Sequence, residues 1–378
     1  MRVLLISHTC QSRTEGQPKA ALLSRIPGVE LKVLIPDRWK HYGKWRPTDV
    51  PSPDQFDCKV GRVAWSWAGP AQFYLHWYPE LPRIVKEFKP DVIDLWEEPW
   101  GLVSVLTCRV RNRYAPEAKI VTETEQNINK QLPFPFEKFR SYTLSQADYA
   151  VGRNSEAVAI LKSKGYAGPA EVVPNAVDAD LFHPLNRQEC RDKLGFTGFV
   201  AGYVGRLVEE KGLGDMVDAL KNCPKNVKLV FVGAGAFAES LQTQAKTLGV
   251  ADRITFLPSR PLDQLPEVMN AMDVLVLPSR TTPSWKEQFG RVIIEAQACA
   301  TPVIGSSSGA IPDVVGDGGL IFEERNSIAL AQSLTDLASD SDRCRTMGLL
   351  GRKAVEQHYT WQRVAEQMYS IYEAVCAR

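Results

Sequence analysis

Glu287 and Glu295 flank the seven residues Gln288-Phe289-Gly290-Arg291-Val292-Ile293-Ile294. Gly290 is a natural break between loop and helix, and the spacing of Val292, Ile293, Ala296 and Cys299 predicts a helix from Arg291 through Ala300 with that face buried. Glu287 then sits in the loop ahead of the helix, Glu295 lies about a turn and a half inside it, and the first-turn N–H groups lie between the two carboxylates. A helix N-terminus attracts phosphate and a carboxylate accepts from two hydroxyls at once, so the stretch suits a sugar attached to a phosphate. Taken alone, two Glu around a helix start are more simply surface charge complementing the helix dipole.

A second group, Gly205-Arg206-Leu207-Val208-Glu209-Glu210-Lys211-Gly212, directly follows the apolar run Phe199 to Val204. Arg206 and Lys211, on either side of a short loop at a strand's carboxyl end, can grip a diphosphate as it becomes a leaving group. Gly233-Ala234-Gly235-Ala236-Phe237-Ala238 competes with this reading, because it fits the GxGxxA variant of a dinucleotide fingerprint and would imply a nicotinamide or flavin enzyme. Two features oppose it. Asp252 precedes the next strand candidate instead of ending it, and the turn follows the second strand of its half rather than opening the domain.

These groups, with Thr301-Pro302-Val303 and the Ser306 to Asp313 loop in the same order, resemble the retaining glycosyltransferases of the GT-B fold, in the large family 4 (group 1) type. The resemblance covers most of the chain and is strongest from about Val172 to Phe322. It implies an α/β protein of two doubly wound Rossmann-like domains with a cleft between them. It assigns Arg206 and Lys211 to the nucleotide pyrophosphate, Glu287 with the Phe289 and Gly290 backbone to the donor sugar, Glu295 to the ribose, and Leu257 to base recognition. Gly16 stands where the family commonly has paired glycines that let the backbone approach the transferred phosphate. Catalysis would rest on Arg206, Lys211 and Glu287, with fixed positive charge replacing a metal ion. No cofactor is implied beyond a nucleoside diphosphate sugar as donor. Departure and attack on the same face would retain configuration, with a diphosphate oxygen helping to deprotonate the acceptor.

At the end of the strand candidate Lys119 to Thr124 many relatives carry a His near the donor. Here Gln126, or less readily Glu125, falls at that point, and Gln cannot titrate near neutrality. Acceptor contacts are expected from Trp96, Glu97 and Glu98, where tryptophans and carboxylates suit a sugar ring and its hydroxyls. Trp39, Trp45, Trp65, Trp67 and Trp77, interleaved with Arg38, Lys40, Lys44 and Arg46, fit either aromatics pinning long loops or a peripheral membrane face for a lipid-linked or glycan acceptor.

Short apolar runs spaced by helix-length intervals must position these groups. Strands are expected at Arg2 to Ser7, Leu31 to Pro36, Asp91 to Trp96, Lys119 to Thr124, Tyr149 to Arg153 and Glu171 to Pro174. In the second half they fall at Phe199 to Val204, Val227 to Val232, Arg253 to Leu257, Val274 to Leu277, Pro302 to Gly305 and Gly319 to Phe322. Helical patterns between most of them imply right-handed crossovers and parallel sheets. A polar stretch at 185–197 reads as a linker, giving an N-terminal domain of 1–184 plus 361–378 and a donor domain of 185–360. Trp361, Val364, Met368, Ile371 and Val375 lie on one face of a final helix that packs on the first domain.

With 378 residues, 44% hydrophobic and 24% charged, the chain is ordinary soluble material and large enough for two cores. A net charge of +1 offers no global support for a nucleic-acid partner. Neither a spanning run nor a signal-peptide core is evident, so a cytoplasmic location is expected. Eight cysteines without CxxC or Cys/His clustering point to reduced thiols and no metal site. A nucleotide-sugar epimerase on the same plan, and a module that binds a nucleotide sugar without transfer, are the alternative functions. Sugar, base, linkage and oligomeric state stay open.

Overall fold

The computed structural model describes residues 1–41, 44–65 and 71–377. The chain divides into two compact units, Met1–Pro174 with Trp361–Arg378, and Asn175–Thr360.

The first unit is built on a parallel sheet. Its strands are β1 (Arg2–Ile6), β2 (Glu30–Pro36), β5 (Asp57–Gly61), β6 (Val92–Leu95), β7 (Lys119–Thr124), β8 (Tyr149–Gly152) and β9 (Ala170–Val172), in the order β5-β2-β1-β6-β7-β8-β9. Between β2 and β5, β3 (Arg38–His41) and β4 (Lys44–Pro47) form an antiparallel hairpin. Strands β1 and β6 are apolar on both faces apart from Arg2 and Asp94, as expected where helices cover both sides of a parallel sheet. Leu4, Ile6, Leu34, Ile93, Leu95 and Ile120 pack on the helices Leu81–Phe88 and Leu102–Tyr114. The helix Trp361–Cys376 belongs to this unit and buries Val364, Ala365, Met368, Ile371, Tyr372 and Val375.

The second unit carries β10 (Phe199–Val204), β11 (Val227–Val232), β12 (Ile254–Leu257), β13 (Val274–Leu277), β14 (Val303–Ser306) and β15 (Gly319–Phe322). All pair in parallel, in the order β12-β11-β10-β13-β14-β15. That order reverses between β10 and β13, the switch point at which doubly wound sheets bind ligands beyond the strands' carboxyl ends.

Two expectations about boundaries change. Residues 185–197 are not a linker: Arg187–Leu194 is a helix, capped by the Asn186 side chain at its start and by Gly195 at its end. Its polar composition is that of an exposed helix with one buried residue, Cys190, and Arg187 and Arg191 both pair with Asp273. The boundary falls at Pro174/Asn175 rather than 184/185, because Phe182 enters the second unit's core and Val177 bridges to Thr360. The edge strand β5 and the hairpin went unseen in the sequence, where residues 37–78 read as tryptophan-rich loops; Trp67 lies outside the described residues. All eight cysteines are free thiols. Among the described residues no helix is long and apolar enough to cross a membrane.

The glycines at 233–235 serve packing between loops. A Cβ on Gly233 would stand 1.9 Å from the Gly205 carbonyl oxygen and one on Gly235 would stand 2.1 Å from that of Leu207, while Leu207 N donates to Ala234 O at 3.0 Å. The loop after β11 thus braces the loop after β10. Gly233→Ala is expected to cost about 1–3 kcal/mol by overpacking a backbone contact at positive φ, measured as a lowered urea midpoint.

Candidate functional site

In the second unit the loop after β10 and the loop after β13 meet through one ion pair. Lys211, in the one-turn helix Glu209–Lys211, donates from Nζ to Glu287 Oε2 at 2.5 Å. Ser279, at the end of β13, donates its hydroxyl to the same oxygen at 2.8 Å. Lys211 also sits 4.8 Å from the centre of the Trp285 ring. Both ends of the pair are largely buried, so the charges hold each other where neither is well hydrated. Arg206 lies on the same loop, more exposed, with Glu210 3.9 Å away and its carbonyl accepting from the Tyr203 hydroxyl at 2.8 Å.

Past Glu287 the chain enters the helix Arg291–Ala298, shorter by two residues than its apolar spacing suggests. Gly290 precedes it at φ 81°, where a Cβ would also press on Leu277 and Ile293, and it supplies no side-chain cap to the first amides. Phe289 is buried against Tyr359. Glu295 stands partly buried on the helix. Ile293, Ile294, Ala296, Gln297 and Ala298 form the buried face; Val292 is only half-buried, a small departure from the expected register. Leu257 ends β12, two strands from β10, and its carbonyl accepts from Gly233 N at 3.0 Å, so that oxygen is already used. The Ser308 hydroxyl does not cap the following helix, because it bonds Thr281 Oγ1 at 2.9 Å.

The first unit has its own pocket of about 140 Å³ at the carboxyl ends of β1, β6 and β7, lined among others by His8, Trp96, Glu97, Glu98, Thr124 and Glu125. Behind it, Lys19 is fully buried between Asp94 at 3.2 Å and Glu123 at 2.7 Å, Arg153 pairs with Glu123, and the Tyr372 hydroxyl donates to Asp94 at 2.6 Å.

The acceptor-side expectations are redistributed by this packing. Trp96 is 7% exposed, and its ring carries Lys19 Nζ 3.9 Å and Arg153 Cζ 4.8 Å from its centre, which leaves little face for a sugar. Glu97 is also spent: it accepts from His8 N at 2.6 Å, lies 2.7 Å from His8 Nδ1 and 3.5 Å from His76 Nε2. Burial would raise its pKa, but His8 and His76 outweigh that and bring it to about 2. Glu98 accepts from Thr124 Oγ1 at 2.5 Å and Glu125 N at 2.9 Å, yet burial, with Glu125 and Glu97 nearby, pushes it up to about 8. Glu125 reaches the pocket; Gln126 turns away, its Oε1 accepting from Ile128 N at 3.3 Å. Gly16 precedes the helix Gln17–Leu23, and a Cβ there would strike the Thr9–Cys10 backbone at 2.6–2.7 Å, so local packing already accounts for it.

His8, Thr9 and Phe73 were missed. No histidine neighbours Gln126 in sequence, but one arrives in space from the end of β1. Its position just after the central strand candidate was the available signal, since carboxyl ends of adjacent parallel strands share an edge.

Sheet order and two-unit organisation make this a GT-B protein. In solved structures, the Anabaena HepE protein crystallised with UDP superposes with a TM-score of 0.75 at 18% identity, over 99% of both chains. Residues 186–354 match the family model described as Glycosyl transferases group 1. Among curated relatives, the chain is 32% identical over 216 residues to a D-inositol 3-phosphate glycosyltransferase of Segniliparus rotundus, covering 54% of this chain and 46% of that protein. It is 34% identical over 215 residues to a GDP-mannose-dependent alpha-(1-6)-phosphatidylinositol monomannoside mannosyltransferase of Mycobacterium tuberculosis, covering 54% and 56%. The chain thus spans about half the length of these relatives.

Glu98 yields a test of the first pocket's electrostatics. Between the ordinary carboxylate range and about 8, the folded chain keeps a proton that the unfolded chain has released, so stability falls as pH rises through that window. Asp94, raised to about 7 by burial and Glu123, adds to the fall. Glu98→Gln should flatten the decline by up to about 1.4 kcal/mol per pH unit, read from urea melts between pH 5 and 8.

Proposed function

We propose that the chain moves a sugar from a nucleoside diphosphate sugar to a hydroxyl of a glycan or lipid-linked acceptor, with retention and without a metal. The Lys211–Glu287 pair carries this reading: a cation on the loop after β10 joined to a carboxylate on the loop after β13, at the switch point of its sheet. A nucleoside diphosphate sugar needs both charges. Its diphosphate takes Lys211 and Arg206 as it departs, and the sugar hydroxyls take Glu287, which is freed to accept from them once Lys211 turns to phosphate. The helix after Gly290 has no side-chain cap at its start, which favours phosphate near its N-terminus. Glu295 is assigned to the ribose and Leu257 to the base edge by the family pattern. The HepE structure with UDP and the names of the curated relatives support a nucleotide sugar as the donor class.

A thermal-shift screen against UDP-, GDP- and ADP-sugars tests the donor. One of them should raise the melting temperature, and Lys211→Ala or Glu287→Gln should lower kcat by about 10²–10³ while leaving the fold intact. Product NMR should show the donor's anomeric configuration, and turnover should survive EDTA. Inversion, or loss of turnover restored by Mn²⁺, would contradict the mechanism.

The hairpin β3–β4 favours docking to an acidic membrane. Trp45 is exposed, with Lys40 Nζ 4.8 Å and Arg38 Cζ 5.2 Å from its ring centre, and Trp65 is exposed as well, whereas Trp39 is buried. Cosedimentation with vesicles containing phosphatidylglycerol should exceed that with neutral vesicles, and Trp45→Ala should weaken it. Absence of binding to either vesicle would remove the membrane from this reading.

A further inference from the structure

Trp285 stands beside the Lys211–Glu287 pair, and the backbone around it sets its place. Thr282 N donates to Trp285 O at 2.8 Å and Trp285 N donates to the Thr282 hydroxyl at 3.0 Å, which closes Thr282-Pro283-Ser284-Trp285 into a tight turn. At the root of that turn Thr281 bonds Ser308 Oγ at 2.9 Å, its carbonyl accepts from Arg325 at 3.1 Å, and its N–H donates to Glu324. Arg280, one residue earlier, donates from its backbone N–H to Glu210 O at 2.9 Å and from Nε to Asp215 Oδ2 at 2.9 Å. Glu210 and Asp215 lie on either side of Lys211 in the chain. Gly212, at φ 67°, comes so near the same segment that a Cβ would stand 2.0 Å from Pro278 O. The loop that carries Trp285 is therefore bolted to the loop that carries Lys211.

Among the described residues Lys211 Nζ has two partners, and they differ in charge. One is the Glu287 carboxylate at 2.5 Å; the other is the Trp285 ring, whose centre lies 4.8 Å away. The ring is half-buried and stands outside the large core of the second unit, so filling that core does not account for an aromatic of this size. An indole face attracts an ammonium without carrying net charge, and the attraction is less tied to one direction than a hydrogen bond is.

We propose that Trp285 is a positioning residue for Lys211, holding its ammonium in place when the donor draws it from Glu287 to the diphosphate; this rests on the transferase reading above. In the donor-free chain Glu287 and Trp285 share the cation. The sugar hydroxyls then need Glu287 as their acceptor, so that carboxylate cannot go on holding Lys211 at full strength. A second carboxylate in place of the ring would also hold the cation, but it would repel the diphosphate. An aromatic face does the first without the second. Without it, the flexible four-carbon stem of Lys211 is free to carry the charge into solvent. The contact acts on the diphosphate, which every nucleoside diphosphate sugar shares, and not on the choice of sugar.

The test is calorimetric titration of the full chain with UDP, GDP and ADP, with no sugar or acceptor present. Whichever binds is then titrated into Trp285→Phe, Trp285→Leu, Lys211→Met and the double variant Lys211→Met/Trp285→Leu. Trp285→Leu should weaken binding by about 5- to 30-fold, and Trp285→Phe should recover part of that loss. In the Lys211→Met background Trp285→Leu should change affinity by less than about 2-fold, because a ring that acts through the cation has nothing left to hold. A ring that merely fills its loop would cost the same factor in both backgrounds. Equal losses in the two backgrounds, or full affinity in Trp285→Leu, overturn the role of Trp285 and leave the transferase reading standing. Should Trp285→Leu unfold, Trp285→Phe and Trp285→Tyr, each compared with and without Lys211→Met, decide the same point. If the wild-type chain binds none of the three diphosphates, the transferase reading fails and this inference falls with it.

Discussion

Every strand of both large sheets runs in the same direction as its neighbours, so all carboxyl ends of a sheet lie along one edge. Polar loops collect there because the opposite turns are used up in bringing helices back across the sheet. In the first unit the reversal of strand order lies between β1 and β6, and His8, Trp96 to Glu98 and Glu125 gather beyond it. In the second unit the reversal lies between β10 and β13, and Lys211 meets Glu287 beyond it. Chain direction alone brings together residues separated by 76 and by 89 positions.

The first unit pays for its pocket with buried charge. Lys19, Asp94, Glu123 and Arg153 are each at most 3% exposed, and an ion removed from water costs several kcal/mol unless its partners are well placed. Here Lys19 has two carboxylates, Glu123 has two cations, and Asp94 has Lys19 and the Tyr372 hydroxyl. The consequence is geometric. A charge so held cannot move far without leaving another unpaired, and Trp96, with Lys19 and Arg153 against its ring, is pinned by the same groups. Glu97 and Glu98 follow Trp96 directly, so their backbone inherits that rigidity. Opposite pKa shifts in adjacent residues, to about 2 and about 8, then arise from neighbours rather than from chemistry of their own.

What could be read from the sequence was whatever depends on local pattern. Strands β10, β11, β13 and β15 begin and end where their apolar runs do, because buried parallel strands are nearly continuous apolar segments bounded by turn residues. The edge strand β5, with its burial alternating and its composition polar, carries no such signal. The helix Arg187–Leu194 failed for the same reason, since one buried cysteine cannot mark an apolar face. In the second unit, Lys211 and Glu287 were legible as separate groups because each lies near a glycine turn that marks its loop. In the first unit, the linear reading found Glu97 but gave it a ligand's role, since its actual partner, His8, comes from the loop after another strand. Contacts of that range leave no periodicity behind them.

The first unit is assembled from two lengths of chain with the whole second unit between them. A ribosome delivers the residues in order, so Met1–Pro174 emerges long before Tyr372 exists to meet Asp94. The segment 175–360 is continuous and can settle into its own core while the earlier sheet still waits for its last helix. Until that helix arrives, the buried Asp94 carboxylate lacks one of its two donors and the apolar surface due to be covered by Val364, Met368 and Ile371 stays wet. The half of the protein made first is therefore the half finished last.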